Sequence, residues 1–150
     1  MPDDDRLRLI ALDAEDLAVV SAHTQDAVLK VEDISWLPKE KRFVIAMNRF
    51  AWEETAKRQR RGREHQRRRA ALYFARVNRV KSSGIDRSAA GQVLSLLAVH
   101  FEPEDEPSGE IVLEFAGGGA IRLAVECVEA QLTDLGPAWS APHAPRHILT

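Results

Sequence analysis

Most of this chain alternates apolar and polar residues with a period of two, and only one segment has a helical pattern. The alternation is clearest in residues 42–52 and 110–115, and it continues in residues 121–127, where the apolar side chains share one face. A period of two is typical of strands that bury one face. The sequence therefore predicts a mainly β (α+β) protein rather than a helical bundle.

The helical pattern begins at Asp13. This residue is a suitable N-cap, acidic residues follow in the first turn, and Leu17 and Val20 lie on one helix face. We predict a helix from residue 13 to about residue 25, preceded by a short strand in residues 7–12.

The predicted strands form two groups of three. The first group contains residues 27–36, 42–52 and 70–80, and the second contains residues 93–101, 110–115 and 120–127. The sequence Gly117-Gly118-Gly119 separates the last two strands and predicts a hairpin turn. From Val128 the apolar positions shift by one, which predicts a bulge or a new face.

We therefore expect two three-stranded antiparallel meanders that form a sandwich or a partly open barrel, with the N-terminal helix across one opening. The repeated order of elements is compatible with an internal duplication, but it is also what any antiparallel protein shows. The 150 residues, 45% of them hydrophobic, suffice for one core. We assign residues 1–150 to a single domain with tails in residues 1–6 and 137–150.

Charge is distributed unevenly along the chain, although the net charge is only −2. Residues 1–56 carry 7 basic and 12 acidic residues, residues 57–87 carry 12 and 2, and residues 88–150 carry 2 and 9. The local net charges are therefore −5, +10 and −7. So many cations cannot be buried without several counter-charges, and we predict that residues 57–67 form an exposed basic hairpin insertion.

This arginine-rich run has the composition of a contact for phosphate groups, because guanidinium groups match phosphate oxygens. We expect an anionic partner, either nucleic acid or an acidic protein. The candidate contact residues are Lys57, Arg58, Arg60, Arg61, Arg63, Arg67, Arg68, Arg69, Arg76 and Arg79. The run itself contains no aromatic residue on which a base could stack. Trp52 and Arg49 would supply the missing stacking surface if they are exposed beside the run. A solvated loop without a partner stays open as an alternative, as does self-association through opposite charges.

Little in the sequence supports catalysis or metal binding. Cys127 is the only cysteine, which excludes an intramolecular disulfide and a cysteine-only zinc site. His143 and His147 have helical spacing, but neighbouring prolines disfavour a helix there. We predict no catalytic residue, no metal and no cofactor. The alternative function is a small-molecule-binding or enzymatic site in a barrel mouth, which requires the triple glycine and His100 to converge.

Location is predicted from three features. The N-terminal residues are acidic, unlike those of a secretory signal, and no apolar run approaches the roughly 18 residues of a membrane helix. A single cysteine fits a reducing compartment. We expect a cytoplasmic protein without membrane insertion.

Six segments spread along the chain carry a family resemblance. They lie at residues 10–17, 25–31, 36–40, 48–50, 115–123 and 134–139. Over residues 7–139 the chain resembles a family of short, uncharacterised bacterial cytosolic proteins that are classed only as a domain of unknown function. The resemblance implies one compact domain, and it brings no catalytic residue and no activity.

Overall fold

Strands dominate the part of the chain that the computed structural model describes, which is residues 6–50, 66–136 and 139–140. In chain order the elements are β1 (Arg8–Ala11), α1 (Ala14–His23), β2 (Val28–Lys30), β3 (Ile34–Leu37), β4 (Arg42–Phe50), β5 (Gln66–Phe74), β6 (Val77–Ser83), β7 (Val93–Pro103), β8 (Gly109–Phe115), β9 (Ala120–Val125), β10 (Ala130–Asp134) and β11 (Trp139–Ser140). The predicted mainly β class with one N-terminal helix is confirmed.

The strands form one antiparallel sheet that does not close into a barrel. Its order is β1-β10-β5-β4-β2-β7-β8-β9-β6, while β3 also pairs with β4 and β11 also pairs with β5. The ends of the sheet are therefore β1 and β6. This arrangement agrees with the predicted sandwich or partly open barrel.

Both predicted meanders are present. In the first, β3 pairs with β4 and β4 pairs with β5, ending at the partners Phe50 and Arg67. In the second, β7, β8 and β9 pair in sequence order. The turn between β8 and β9 contains Gly117 and Gly118 with φ of 88° and 95°, a conformation that side chains disfavour. The glycine hairpin is therefore confirmed.

The predicted third strand, residues 70–80, is wrong because the chain changes partner in its middle. β5 ends at Phe74, Arg76 adopts a left-handed φ of 61°, and β6 then leaves β5 to pair with β9. The shift in apolar positions that the sequence predicts at Val128 marks a second change of partner. The chain leaves β9 there, and the next strand, β10, pairs with β5 of the first half. Each half therefore contributes one strand to the other half of the sheet.

The predicted strand in residues 27–36 is also divided. A short 3-10 turn, Val31–Asp33, separates β2 from β3. The backbone N–H of Lys30 donates to Oδ2 of Asp33 at 3.1 Å, and this local hydrogen bond competes with continuation of the strand.

The helix packs against β7 and β1 and begins as predicted. Oδ1 of Asp13 accepts a hydrogen bond from the backbone N–H of Asp16 at 2.8 Å, and the helix ends at His23. Leu17 and Val20 belong to a core cluster that includes buried side chains from both meanders. Within the described part of the chain, no helix has the length and apolar character needed to span a bilayer.

The predicted insertion and tails lie mostly outside the described residues. β5 begins at Gln66, so the last two residues of the predicted insertion, 66 and 67, belong to a strand. Within the predicted C-terminal tail, Trp139 and Ser140 pair with Arg67 and Gln66 through the backbone.

Candidate functional site

The basic segment joins the paired ends of two neighbouring strands. Phe50 is the last residue of β4 and its partner is Arg67, the second residue of β5. Five predicted contact residues lie outside the described part of the chain: Lys57, Arg58, Arg60, Arg61 and Arg63. The other five are described, and their surroundings differ.

Arg67 forms the described base of the basic segment. Its guanidinium carbon lies 4.0 Å from the centre of the Phe50 ring, a cation–π contact. Both side chains are half-buried, and desolvation lowers the pKa of Arg67. An arginine held against an aromatic ring is the one stacking surface found beside the basic run in the described residues.

Arg68 is buried beside a second buried arginine, Arg49. Arg49 therefore does not meet the condition of exposure under which it would supply a stacking surface, and Trp52 lies outside the described residues. Nε and Nη2 of Arg49 each donate to a carboxylate oxygen of Asp134 at 2.9 Å, and Nε of Arg68 lies 3.6 Å from the same carboxylate. The backbone N–H of Leu7 also donates to Asp134 at 2.7 Å. Arg68 therefore faces the core rather than a partner.

Arg69 is partly buried and paired. It donates to Oδ1 of Asn48 at 3.3 Å and lies 3.5 Å from Oδ1 of Asp33. These contacts connect β5 to β4 and to the turn that precedes β3. Its charge is therefore partly satisfied within the protein.

Arg76 connects the two links through which the halves of the chain exchange strands. These links are residues 75–76, between β5 and β6, and residues 126–129, between β9 and β10. Its Nε donates to Oε1 of Glu129 at 3.3 Å, and the hydrogen bond and charge of Glu129 raise the pKa of Arg76. The backbones of the links also bond, from Ala75 N to Glu129 O at 2.9 Å and from Glu126 N to Arg76 O at 3.1 Å. The exposed Arg76 thus has a structural role at this crossing.

Arg79 is exposed on β6, beyond this crossing. Arg67 and Phe74 are seven positions apart in β5, so about 23 Å separates them along the strand at about 3.3 Å per residue. The structure therefore does not gather the described candidates into one patch. Arg67 marks one end of β5, and Arg76 and Arg79 follow its other end.

His100 lies on an exposed polar strip of β7, β8 and β9. Its ring contacts Glu102 at 3.1 Å and Glu114 at 3.5 Å, while Arg122 donates to Glu102 at 3.0 Å and to Glu110 at 2.9 Å. Hydrogen bonds from His100 and Arg122 hold the pKa of Glu102 below its usual range. No cluster of the described residues has the side chains to hold a metal ion.

The triple glycine lies elsewhere. A side chain at Gly119 would approach Ile85 at 3.0 Å, and Ile85 lines an apolar cleft that His100 does not line. In the described structure His100 therefore does not line the cleft beside the triple glycine, and the barrel-mouth site stays a prediction.

Sequence reasoning missed the carboxylate that organises the buried arginines, although a signal was present. Arg49 continues the core-facing register of Phe43, Ile45 and Met47, so its strand pattern indicates burial. A buried arginine requires a carboxylate, but Asp134 lies 85 residues away and local spacing does not identify it.

The fold places this protein among small antiparallel β-sheet proteins with one helix. The chain belongs to the DUF2948 family of proteins of unknown function, whose family model matches residues 7–147. No curated protein and no solved structure matches it. The family description assigns no activity, so any function has to be argued from the residues.

Proposed function

We propose that this protein is a non-enzymatic binding module that contacts the phosphate backbone of nucleic acid through residues 57–67. The observation that carries the proposal is the position of this run between two paired strand ends, with Arg67 stacked on Phe50 at its base. A sheet with a packed core then acts as the support for a cationic connection.

The charge distribution supports this proposal. Residues 57–67 contain six basic residues and one acidic residue, so they carry +5 while the rest of the chain carries −7. A polyanion is attracted by the first part and repelled by the second, which confines contact to one region. Arg68 is buried, Arg69 is paired with Asp33, and Arg76 and Arg79 follow the far end of β5. The contact set is therefore reduced to Lys57, Arg58, Arg60, Arg61, Arg63 and Arg67.

Arginine contacts with phosphate predict weak binding with little sequence preference. Such contacts position a protein on the backbone, whereas bases are read by side chains that reach their edges. Each phosphate that is neutralised releases counterions and adds about 0.9 to the slope of log affinity against log salt on duplex DNA. Binding should therefore be strongest at low salt and should weaken steeply as salt is added.

The test compares two variants with equal charge changes. The first changes Lys57, Arg58, Arg60, Arg61 and Arg63 to glutamine. The matched control changes five exposed cations that form no ion pair with any described residue, namely Arg8, Lys39, Arg79, Lys81 and Arg87. Labelled duplex DNA, single-stranded RNA and heparin are titrated at several salt concentrations.

We expect the first variant to lose most of its affinity and salt dependence while the control keeps both. Equal losses in the two variants would contradict a local contact and indicate a general charge effect. Absence of binding by the wild type at low salt would also reject the proposal, and an acidic protein or a second copy of the chain would then be the partner to test.

A bacterial origin and a cytoplasmic location are also part of this proposal. They rest on the family resemblance and on Cys127, which forms no disulfide and fits a reducing compartment. Fractionation of a host that expresses the chain would test the location, and recovery outside the cytoplasm would contradict it.

A further inference from the structure

An apolar cleft lies at the seam where the sheet fails to close. The backbone N–H of Val77 at the start of β6 donates to the carbonyl of Lys41 at 2.9 Å. Beyond that bond, β3 pairs with β4 and β6 pairs with β9, and these two strands do not pair with each other. A cleft of about 240 Å³ lies between them.

The cleft is apolar inside and cationic at its rim. Phe43 and Ile121 are almost fully buried and form its floor. Five of the eight described side chains that are partly buried against the core also line it: Val31, Ile34, Trp36, Val80 and Ile85. The exposed Ser82 and Arg87 complete the lining. Most of the partly buried apolar side chains of the described core therefore lie at this seam.

Arg87 supplies an unneutralised charge. It forms no hydrogen bond or ion pair with any residue that the structure describes, unlike the paired arginines Arg76 and Arg122. A cation beside apolar walls favours a ligand with an apolar body and an anionic end. The cleft exceeds the roughly 150 Å³ of an apolar cavity that holds benzene, and it is smaller than typical drug-sized pockets of about 300–1,000 Å³.

We propose that this cleft binds a small aromatic carboxylate, with its ring between Trp36 and Val80 and its carboxylate at Arg87. The site is independent of the basic run in residues 57–67. It also differs from the predicted barrel-mouth site, because neither His100 nor the triple glycine lines it.

The test uses 3-phenylpropionate as the probe, with 3-phenylpropanol as its uncharged counterpart, in calorimetric titrations. A probe of this size is expected to bind at about 1 mM or tighter. The alcohol should bind about fivefold more weakly, as expected for loss of a partly exposed ion pair. In NMR spectra, the amide signals of Val31, Ile34 and Ile121 should move on titration.

Three variants distinguish binding in the cleft from nonspecific attraction to the surface. Arg87→Gln should weaken carboxylate binding about fivefold and leave the alcohol unchanged. Lys81→Gln removes a cation of β6 that does not line the cleft, and it should change neither affinity. Ser82→Phe places a ring at an exposed rim position, where it should weaken the binding of both probes by tenfold or more.

Three results would contradict the proposal. Equal affinity of the acid and the alcohol for the wild type, equal effects of Arg87→Gln and Lys81→Gln, or NMR shifts outside the cleft would each overturn it. The variant with five glutamines in residues 57–63 should bind the probe like the wild type, which separates this inference from the nucleic-acid proposal.

Discussion

A single carboxylate at Asp134 connects four parts of the sheet. It receives two hydrogen bonds from Arg49 of β4 and one from the backbone of Leu7, and it lies beside Arg68 of β5. Both arginines are fully buried, so their charges cannot be satisfied by water. The position of β10 beside β5 is therefore tied to one charged residue.

We expect Asp134→Asn to destabilise the protein by about 3–5 kcal/mol, because the change removes the carboxylate of Asp134 from two buried arginines. Urea unfolding would measure the loss. Glu129→Gln, which removes an exposed carboxylate from Arg76, is the control and should have a much smaller effect. A loss below about 1 kcal/mol in Asp134→Asn would contradict the assigned role.

Hydrogen bonds at the start of α1 stabilise the helix, and one hydrogen bond connects it to the sheet. Asp13 caps α1, and Oδ2 of Asp16 accepts from the backbone of Leu12 at 3.0 Å, so two donors at the helix start are satisfied. The side-chain oxygen of Ser21 in α1 accepts a hydrogen bond from the backbone N–H of Val99, which lies beside the register shift in β7. The bond from Val99 to Ser21 connects the helix to β7 of the second meander.

Replacement of Asp13 by alanine should destabilise the protein by about 1 kcal/mol, the usual cost of a lost N-cap. Thermal unfolding followed by circular dichroism would measure it. Asp13→Asn keeps a capping oxygen and serves as the matched variant. If both substitutions have the same effect, the cap contributes nothing measurable.

The ion pairs of Glu126, between β9 and β10, make the folding stability of the protein depend on pH. The hydrogen bond from Lys41 Nζ at 2.7 Å, and then the charges of Lys41 and Arg76, hold the pKa of Glu126 below its usual range. A carboxyl whose pKa is lowered by folding contributes stability above its unfolded pKa. That stability is lost as pH falls through the folded pKa.

We therefore expect Glu126→Gln to be less stable than the wild type at pH 7, with the difference narrowing below about pH 4.3. Chemical unfolding at a series of pH values would measure the difference. Glu104→Gln is the control, since Glu104 is exposed and forms no ion pair with a described residue. A difference that stays constant down to pH 2 would contradict the assignment to this ion pair.

At the scale of the whole molecule, the two meanders share one core and exchange one strand each. β6 and β10 cross between the halves, and buried residues of both halves form one cluster. Each meander is bordered by a strand from the other half of the chain, β10 beside β5 and β6 beside β9. Unfolding should therefore be a single cooperative transition.

The basic run should be separable from this fold. Replacement of residues 57–64 by the four residues Gly-Ser-Gly-Ser changes the entropic free energy of loop closure by less than about 0.6 kcal/mol. The melting temperature should therefore shift by only a few degrees. An eight-residue Gly-Ser replacement separates the effect of charge from that of length. Loss of cooperative melting in both variants would show that the run is part of the fold.

The sequence determined the features that depend on neighbouring residues. The period of two specified which faces of the strands are buried, Asp13 specified the start of the helix, and the triple glycine specified a turn. The mainly β class and both meanders follow from these local patterns. The charge pattern similarly located the basic run, but it did not separate the surface cations from the buried Arg68.

The tertiary structure decided which strands are neighbours. Residues 70–80 are apolar enough for one strand, and only the exchange at Arg76 divides them between two halves of the sheet. The pairing of Asp134 with Arg49, across 85 residues, and the open seam between β3 and β6 were equally absent from the local pattern. Alternation specifies which face a side chain occupies, whereas the identity of the adjacent strand depends on packing between distant residues.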